Sequence, residues 1–239
     1  MKILITNDDS ISAAGIEVLA RAASQLGEVW VVAPAEQCSA MSQKLTLREL
    51  LTVEQVFDFP VQVQGAWRIG GTPVDCVKVA LDYVLEEKPD LVLSGINNGY
   101  NVGFDISYSG TMGAAFEAAR SGIPAIALSV AGFKHLDAVE REILPILREI
   151  LSKKQEPRTV WNVNFPAMNT VGRKGILWDC PVAPTSLYRE KYIPVGEENG
   201  MVTLKNQGIP TPNDRIPAGS DGDAVRNGYI SVSRVRCTY

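Results

Sequence analysis

The sequence predicts an α/β fold built on a mostly parallel sheet. Short apolar runs rich in β-branched residues alternate with segments whose apolar residues recur at helical spacing. The first unit, strand Lys2–Thr6, helix Gly15–Leu26 and strand Val29–Ala33, fits a right-handed βαβ crossover with parallel strands. The length of 239 residues agrees with one such domain carrying an appendage.

The same alternation continues along the chain as far as Pro166. Further helices are expected over Val74–Leu85, Thr111–Arg120 and, in spite of Pro145, Leu136–Leu151. Buried strands are expected at Asp90–Ser94, Ala125–Ser129 and Val160–Phe165, and strand-like alternation surrounds Leu47–Val53 and Val61–Val63. We therefore assign residues 1–166 to the core domain.

The composition changes after Pro166. Residues 181–222 are rich in Pro and Gly, show little helical periodicity and carry short β-like stretches. Because such a segment buries little surface on its own, we expect it to pack on the core or on a second subunit. The run Tyr229–Ser233 alternates like a strand, so residues 167–239 are predicted to form a β-rich extension whose final strand returns to the core.

Composition excludes several classes of function. Lys and Arg number 23 against 27 Asp and Glu, so the chain offers no basic footprint for a nucleic-acid duplex. A single histidine, His135, excludes a multi-histidine zinc site and argues against a Ser-His-Asp triad. The four cysteines lack a Cys-x-x-Cys pair, no apolar run approaches the ~20 residues of a membrane helix, and no secretory leader is recognisable. We expect a cytoplasmic protein that does not bind a membrane.

Polar clusters follow several of the predicted strands. They are Asn7-Asp8-Asp9, the loop around Ser39, Gly95-Ile96-Asn97 and Ser109-Gly110-Thr111. Ligands of open parallel sheets bind outside the carboxyl ends of the strands, near the point where the strand order reverses. The sequence therefore predicts a functional site where these four clusters converge.

The acidic pair Asp8-Asp9 indicates a cation. Adjacent carboxylates at a strand end repel each other unless a cation lies between them. Together with oxygens from Ser and Asn they form an all-oxygen set that suits Mg²⁺, Mn²⁺ or Ca²⁺ rather than zinc. The alternative is that Asp8 or Asp9 caps the following helix.

The segment Ser109-Gly110-Thr111 indicates a phosphate site. Backbone N–H groups at a helix start, beside Ser and Thr hydroxyls, can hold phosphate oxygens. An ordinary Ser or Thr N-cap is the alternative. The chain has neither the lysine of a Walker loop here nor a Gly-x-Gly-x-x-Gly after the first strand.

These clusters belong to a longer series of motifs that occur in one order. In the core they are Asn7-Asp8-Asp9, Ala33-Pro34 followed by Ser39, Gly71-Thr72-Pro73-x-Asp75-Cys76-Val77, Ser94-Gly95-Ile96-Asn97-x-Gly99-x-Asn101-x-Gly103 and Tyr108-Ser109-Gly110-Thr111. Near the C-terminus the series resumes with Asp223-Ala224-Val225-x-x-Gly228-Tyr229-Ile230-Ser231-Val232. With them the chain resembles the SurE family, the survival-protein nucleotidases.

The resemblance implies a Rossmann-like, doubly wound core and a metal-dependent phosphomonoesterase that hydrolyses nucleoside 5′-monophosphates, with 3′-monophosphates as further substrates. It implies one divalent ion, Mg²⁺ or Mn²⁺ with Ca²⁺ as an inactive occupant. It also implies a homodimer or homotetramer joined through the C-terminal arm. The implied ion ligands are Asp8, Asp9, Ser39 and Asn97, and the implied phosphate-binding residues are Asn101, Ser109, Gly110 and Thr111.

The chain departs from the family pattern at several places around these residues. Ser10 stands where the family usually has the glycine of Asn-Asp-Asp-Gly. The family's Arg-Ser-Gly is here Cys38-Ser39-Ala40, and Phe104 stands where an aspartate is common. The implied ligands themselves are all present.

Asp8 is the predicted catalytic residue. It would orient or deprotonate the water that attacks the phosphorus, while direct attack by its carboxylate to give an aspartyl-phosphate is the competing chemistry. Two other functions stay open at this point. One is a nucleotide-binding regulatory protein with little turnover, and the other is a phosphatase for sugar phosphates or short polyphosphate.

Overall fold

The predicted α/β fold with a mostly parallel sheet is confirmed by a computed structural model, which describes residues 1–167 and 173–237. Within those residues the strands are β1 Lys2–Thr6, β2 Glu28–Pro34, β3 Val53–Gln55, β4 Gly65–Ile69, β5 Leu91–Asn98, β6 Ala125–Val130, β7 Thr159–Phe165, β8 Gly175–Trp178, β9 Tyr188–Glu198, β10 Met201–Pro210 and β11 Tyr229–Arg236. Nine of them form one sheet in the order β3-β4-β2-β1-β5-β6-β7-β11-β8.

The order of the strands reverses beside β1. The chain passes from β1 to β2 on one side, and β5 later pairs with β1 on the other side, all three in parallel. The run from β4 through β7 is parallel, whereas β3 and β11 join antiparallel to β4 and β7. The carboxyl ends of β1 and β5 therefore flank the position where open α/β sheets bind ligands.

Helices cover both faces of this sheet. They are α1 Ala14–Ala23, α2 Pro73–Val79, α3 Gly110–Arg120, α4 Leu136–Ser152 and α5 Asp221–Arg226. The apolar faces of α1 and α4 pack in one core on one side, and those of α2 and α3 pack in a second core on the other. None of the helices in the described residues is long and apolar enough to cross a membrane.

Two predicted helices end earlier than expected. The prediction placed the end of the first at Leu26 before Gly27, but α1 ends at Ala23. A Cβ atom at Gly27 would lie 2.0 Å from the Met1 carbonyl oxygen, so that glycine serves a close approach to the N-terminus and not a helix cap. The helix predicted to Leu85 is α-helical only to Val79, and a π-helical turn continues it over Ala80–Val84.

The strands between β2 and α2 were placed wrongly. Of the alternating segment Leu47–Val53 only its last residue is in a strand, β3, because Leu47 and Leu50 are exposed and have no core to face. The segment Val61–Val63 is irregular, and the strand follows it as β4, held in place by parallel pairing with β2.

The C-terminal part contributes to two sheets. Strands β11 and β8 extend the main sheet beyond β7. Strands β9 and β10 form a separate antiparallel hairpin, far longer than the short β-like stretches expected there. Nearly every residue of this hairpin is exposed, including large apolar ones: Tyr188, Tyr192, Val195, Met201, Val202 and Leu204.

Candidate active site

The four polar clusters predicted from the sequence meet at the switch point of the sheet. The loop after β2 is tied to the end of β1 by the Cys38 N–H, which donates to the Asp8 carbonyl at 2.7 Å. The end of β5 is tied to the same place by the Asn98 N–H, which donates to Asp9 Oδ2 at 2.7 Å. The start of α3 follows through Thr111, whose Oγ1 donates to Asp8 Oδ1 at 2.6 Å. Three loops therefore converge on the acidic pair.

Asp8 is a buried carboxyl group, with 4% of its surface exposed. Burial raises its pKa to about 6, with a smaller upward contribution from the neighbouring Asp9 carboxylate and against the opposing effect of the Thr111 hydrogen bond. Both the hydroxyl and the backbone N–H of Thr111 face this carboxyl group. A positive charge beside Asp8 would favour its ionised form, so the site is electrostatically suited to a cation.

Asp9 is less buried and is held from two sides. Its Oδ1 accepts a hydrogen bond from Gln37 Nε2 at 3.2 Å, and its Oδ2 accepts the bond from the Asn98 N–H. Neither Asp8 nor Asp9 caps the following helix, because the N-cap of α1 is Ala13, which makes no side-chain cap. The alternative role considered for the pair, a helix cap, is therefore wrong.

Ser39 and Asn97 are the two neutral ligands that the resemblance implies. Ser39 is exposed in the turn that follows Cys38. The side chain of Asn97 donates through Nδ2 to the Gly99 carbonyl at 2.9 Å, which leaves Oδ1 as the atom that a cation would contact. In the described ranges no three His, Cys, Asp or Glu side chains are grouped to hold a metal, so an ion at this site would take its remaining ligands from such neutral oxygens.

Gly110 leaves one side of Asp8 open. A Cβ atom built at this position would lie 3.1 Å from Asp8 Oδ2 and 3.2 Å from the Cys38 carbonyl oxygen. Any larger residue at 110 would fill the space next to that carboxylate oxygen. The donor set and this space both fit a small, hard divalent cation.

The start of α3 combines a helix cap with free donors. Ser109 is the N-cap, and its Oγ accepts from the Met112 N–H at 3.0 Å, so the ordinary capping role considered for it is present. That bond uses the oxygen and leaves the hydroxyl proton free to donate. The helix therefore offers the Ser109 hydroxyl and the Gly110 N–H to an anion at its N-terminus.

Asn101 lies in a buried polar network behind the loop. Its Nδ2 donates to Ser129 Oγ at 2.7 Å, and its backbone N–H donates to Asn164 Oδ1 at 2.8 Å. The Asn101 carbonyl in turn accepts from Asn162 Nδ2 and Asn164 Nδ2. This network fixes the start of the loop that leads to Ser109 and uses one amide hydrogen of Asn101.

Two residues that depart from the family pattern, Ser10 and Ala40, have a left-handed backbone conformation. Ser10 has a φ of +89° and Ala40 a φ of +57°, conformations that glycine adopts without steric cost. At both positions the family pattern usually has a glycine, which this chain lacks. At Ser10 and Ala40 the backbone therefore has a positive φ that glycine would favour, and the side chains at these positions make that conformation strained.

Sequence reasoning gave no separate role to Asn7 or to Gln37, the two residues that hold the acidic pair in place. Asn7 Nδ2 donates to the Ser10 carbonyl at 2.7 Å and closes the turn after β1. Gln37 binds Asp9 from the next loop. The position of Asn7 beside Asp8-Asp9 was a usable signal, whereas nothing in the sequence around Gln37 distinguishes it from an ordinary loop residue.

The chain is similar to known proteins of one family. The family model described as "Survival protein SurE" matches residues 3–185. A protein named 5′-nucleotidase SurE from Synechococcus sp. (strain JA-3-3Ab) is 38% identical over 98% of this chain and 90% of its own length. A protein named 5′/3′-nucleotidase SurE from Salmonella arizonae is 36% identical over 98% of this chain and 89% of its own length.

A solved structure shows the same architecture. The crystal structure of a SurE protein from Aquifex aeolicus matches with a TM-score of 0.83 and 32% identity, over 99% of this chain and 93% of that one. Sequence and fold thus agree over nearly the whole chain, and the chain belongs to the survival protein SurE family.

Proposed function

We propose that this chain is a nucleotidase that hydrolyses nucleoside 5′-monophosphates, and 3′-monophosphates as further substrates, with one bound divalent cation. The observation that carries the proposal is the buried Asp8 carboxyl group beside Asp9 at the switch point, next to a helix N-terminus with free donors. The relatives named 5′-nucleotidase and 5′/3′-nucleotidase support the choice of substrate.

The cation would be held by Asp8, Asp9, Ser39 and Asn97. Mg²⁺ and Mn²⁺ suit this set of oxygens, and Ca²⁺ would bind as an inactive occupant because it favours longer and less regular coordination. When bound, the ion neutralises the acidic pair and polarises a phosphoryl oxygen as a Lewis acid.

The protein groups then divide the remaining work. Thr111 fixes the Asp8 carboxylate through Oδ1, so that Oδ2, on the side kept open by Gly110, would face the cation and the attacking water that Asp8 orients or deprotonates. The Ser109 hydroxyl and the Gly110 N–H donate to phosphoryl oxygens as negative charge shifts in the transition state. Asn101 would support these donors chiefly by fixing the loop that carries them.

Phosphate release tests the proposal. AMP with Mn²⁺ should yield inorganic phosphate, EDTA should abolish the reaction, and added Mn²⁺ should restore it. Asp8→Asn should remove turnover, since the amide cannot accept the proton. Near-normal activity of that variant would refute the role of Asp8, and a trapped phosphorylated Asp8 would replace attack by water with attack by the carboxylate.

The same assay ranks the competing functions. A panel of AMP, GMP, 3′-AMP, ribose 5-phosphate and tripolyphosphate should show the nucleoside monophosphates as best substrates. Preference for ribose 5-phosphate or tripolyphosphate would identify a phosphatase of another class. Tight AMP binding without phosphate release would identify a regulatory nucleotide-binding protein.

We also propose that the exposed hairpin β9–β10 joins copies of this chain into a homodimer or homotetramer. An isolated two-stranded hairpin is marginally stable in water, and this one exposes apolar side chains along its length. Tyr192 and Leu204 lie on one face of it, so the double variant Tyr192→Glu, Leu204→Glu should shift the molar mass measured by light scattering to that of a monomer. A monomeric wild-type chain would contradict the proposal.

A further inference from the structure

The loop that leads to the phosphate site rests on the C-terminal extension. We call residues 101–109 the catalytic loop, because they run from Asn101 to the N-cap of α3. The Phe104 N–H of this loop donates to the Thr185 carbonyl at 3.2 Å. A Cβ atom at Gly103 would lie 1.9 Å from that same carbonyl oxygen, so the two backbones touch. The extension is therefore in direct contact with the loop, 6 residues ahead of Ser109.

The carboxylate of Asp221 joins the two segments. Asp221, fully buried at the start of α5, accepts the Gly103 N–H at 3.0 Å through Oδ2. Its Oδ1 accepts the Ala183 N–H at 2.8 Å and the Gly222 N–H at 2.7 Å. One side chain thus binds backbone donors from the catalytic loop, from the extension and from its own helix.

We propose that Asp221 is a positioning residue for the phosphate site, which sets the place of the catalytic loop relative to Asp8 by holding Gly103. The inference rests on the proposed function above. A compact 3₁₀ turn over Gly103–Ser107 connects the held end of the loop to Ser109, so a shift at Gly103 moves the donors at the start of α3.

A second contact supports the same attachment. Val102, the loop residue before Gly103, is fully buried in a small apolar cluster with Leu187, Ile216 and Val225 of the C-terminal part. This cluster holds the loop approximately in place by packing. Packing alone does not fix the orientation and exact position of the Gly103 backbone, and the hydrogen bond from the Gly103 N–H to Asp221 does.

The charge on Asp221 is unfavourable for stability, which points to a positional role. Burial raises the pKa of this carboxyl group, and the Asp105 carboxylate adds to the effect in spite of the three backbone donors. A residue needed only for stability would not have to carry this charge. A carboxylate, however, accepts three N–H groups from different directions, which an amide with a single oxygen cannot do equally well.

The test compares Asp221→Asn with Asp223→Asn. Asp223 lies on the same helix but, among the described residues, its side chain binds only its own neighbourhood, through the Gly219 N–H and Asn227 Nδ2. For Asp221→Asn we expect kcat for AMP to fall and the dissociation constant of inorganic phosphate, measured by calorimetry with Mn²⁺ present, to rise, each roughly 10- to 100-fold. The Mn²⁺ dissociation constant should stay within about twofold, since Asp8, Asp9, Ser39 and Asn97 lie outside the catalytic loop.

Each outcome decides the matter. Equal phosphate affinities for wild type, Asp221→Asn and Asp223→Asn would overturn the inference, as would parallel losses of phosphate and Mn²⁺ binding, which indicate general damage. If Asp221→Asn does not fold, Asp105→Ala takes its place, because it removes the oxygen that accepts the Leu187 N–H across the same contact, and unchanged phosphate affinity there overturns the inference. A wild-type chain that does not hydrolyse AMP would refute the proposed function instead.

Discussion

The hydrogen bond between Thr111 and Asp8 can be tested by removing one hydroxyl group. Thr111→Val keeps the shape of a fully buried side chain but deletes the donor 2.6 Å from Asp8 Oδ1. A hydrogen bond to a charged group contributes about 1.5–3 kcal/mol, and its loss here leaves a buried carboxylate less well satisfied. We expect about 2 kcal/mol of destabilisation at neutral pH, which for a chain of this size lowers Tm by about 4–8 °C.

The effect on activity should be larger than the effect on folding. Thr111 fixes the orientation of Asp8, so its loss should lower kcat for AMP by roughly 10- to 100-fold at a temperature where the variant is fully folded. Melting curves and phosphate-release rates on the same preparations give both numbers.

The chain offers a matched control in Thr6→Val. Thr6 is also fully buried, but its hydroxyl, which lies near the Cys76 thiol, makes no well-formed hydrogen bond among the described residues. Replacing an unsatisfied hydroxyl with a methyl group should leave stability unchanged or raise it. If Thr6→Val and Thr111→Val melt at the same temperature and turn over AMP equally, the Asp8 contact contributes neither stability nor orientation.

Three further changes have expected outcomes. Ser10→Gly removes the strain of a φ of +89° and should stabilise the chain by about 1 kcal/mol in denaturant titrations, because the strain relieved, about 1–3 kcal/mol, exceeds the 0.5–1 kcal/mol that glycine costs. The control is Ser12→Gly, in the same turn but without a positive φ, which should lose stability. A similar loss for Ser10→Gly would contradict the prediction. Gly110→Ala places a Cβ atom 3.1 Å from Asp8 Oδ2 and should weaken Mn²⁺ binding at least tenfold while Tm changes by less than about 4 °C, as calorimetry and melting would show. Burial raises the pKa of Asp221 in the folded protein, so the stability that this group contributes is present in acid and declines as the pH rises from its unfolded-state pKa through its raised folded-state pKa. In unfolding curves measured over a pH series, Asp221→Asn should therefore be most destabilising, relative to wild type, at acid pH. A difference between the two proteins that grows with pH would contradict this.

Periodicity predicted the elements that face a core. Strands β1, β2, β6 and β7 and the amphipathic helix α4 were expected because their buried residues follow one another or recur at helical spacing. Strand β4 was missed, since Trp67 and Arg68 interrupt its apolar pattern and its pairing with β2 decides its conformation. The hairpin was underestimated because it has no buried face.

The candidate site was predictable only in part for a similar reason. Asp8, Asp9 and the start of α3 carry local signals, namely an acidic pair after a strand and a capping serine before a helix. Asp221 carries none, because its partners are backbone groups 118 and 38 residues away along the chain. Contacts of that kind exist only after the fold has formed.

The two edge strands of the main sheet are too short to pair readily with a strand of another molecule. Strand β3 has 3 residues and β8 has 4, too few to template another chain for any distance. The outer hairpin is the opposite, because its strands of 11 and 10 residues each present an unshielded row of peptide groups. Charged side chains at Arg189, Glu190, Lys191, Glu197 and Glu198 interrupt the first of those rows and discourage amyloid-like stacking. At high protein concentration, a variant with these five charges neutralised should therefore aggregate through the hairpin first, while the core domain, residues 1–166, is still folded.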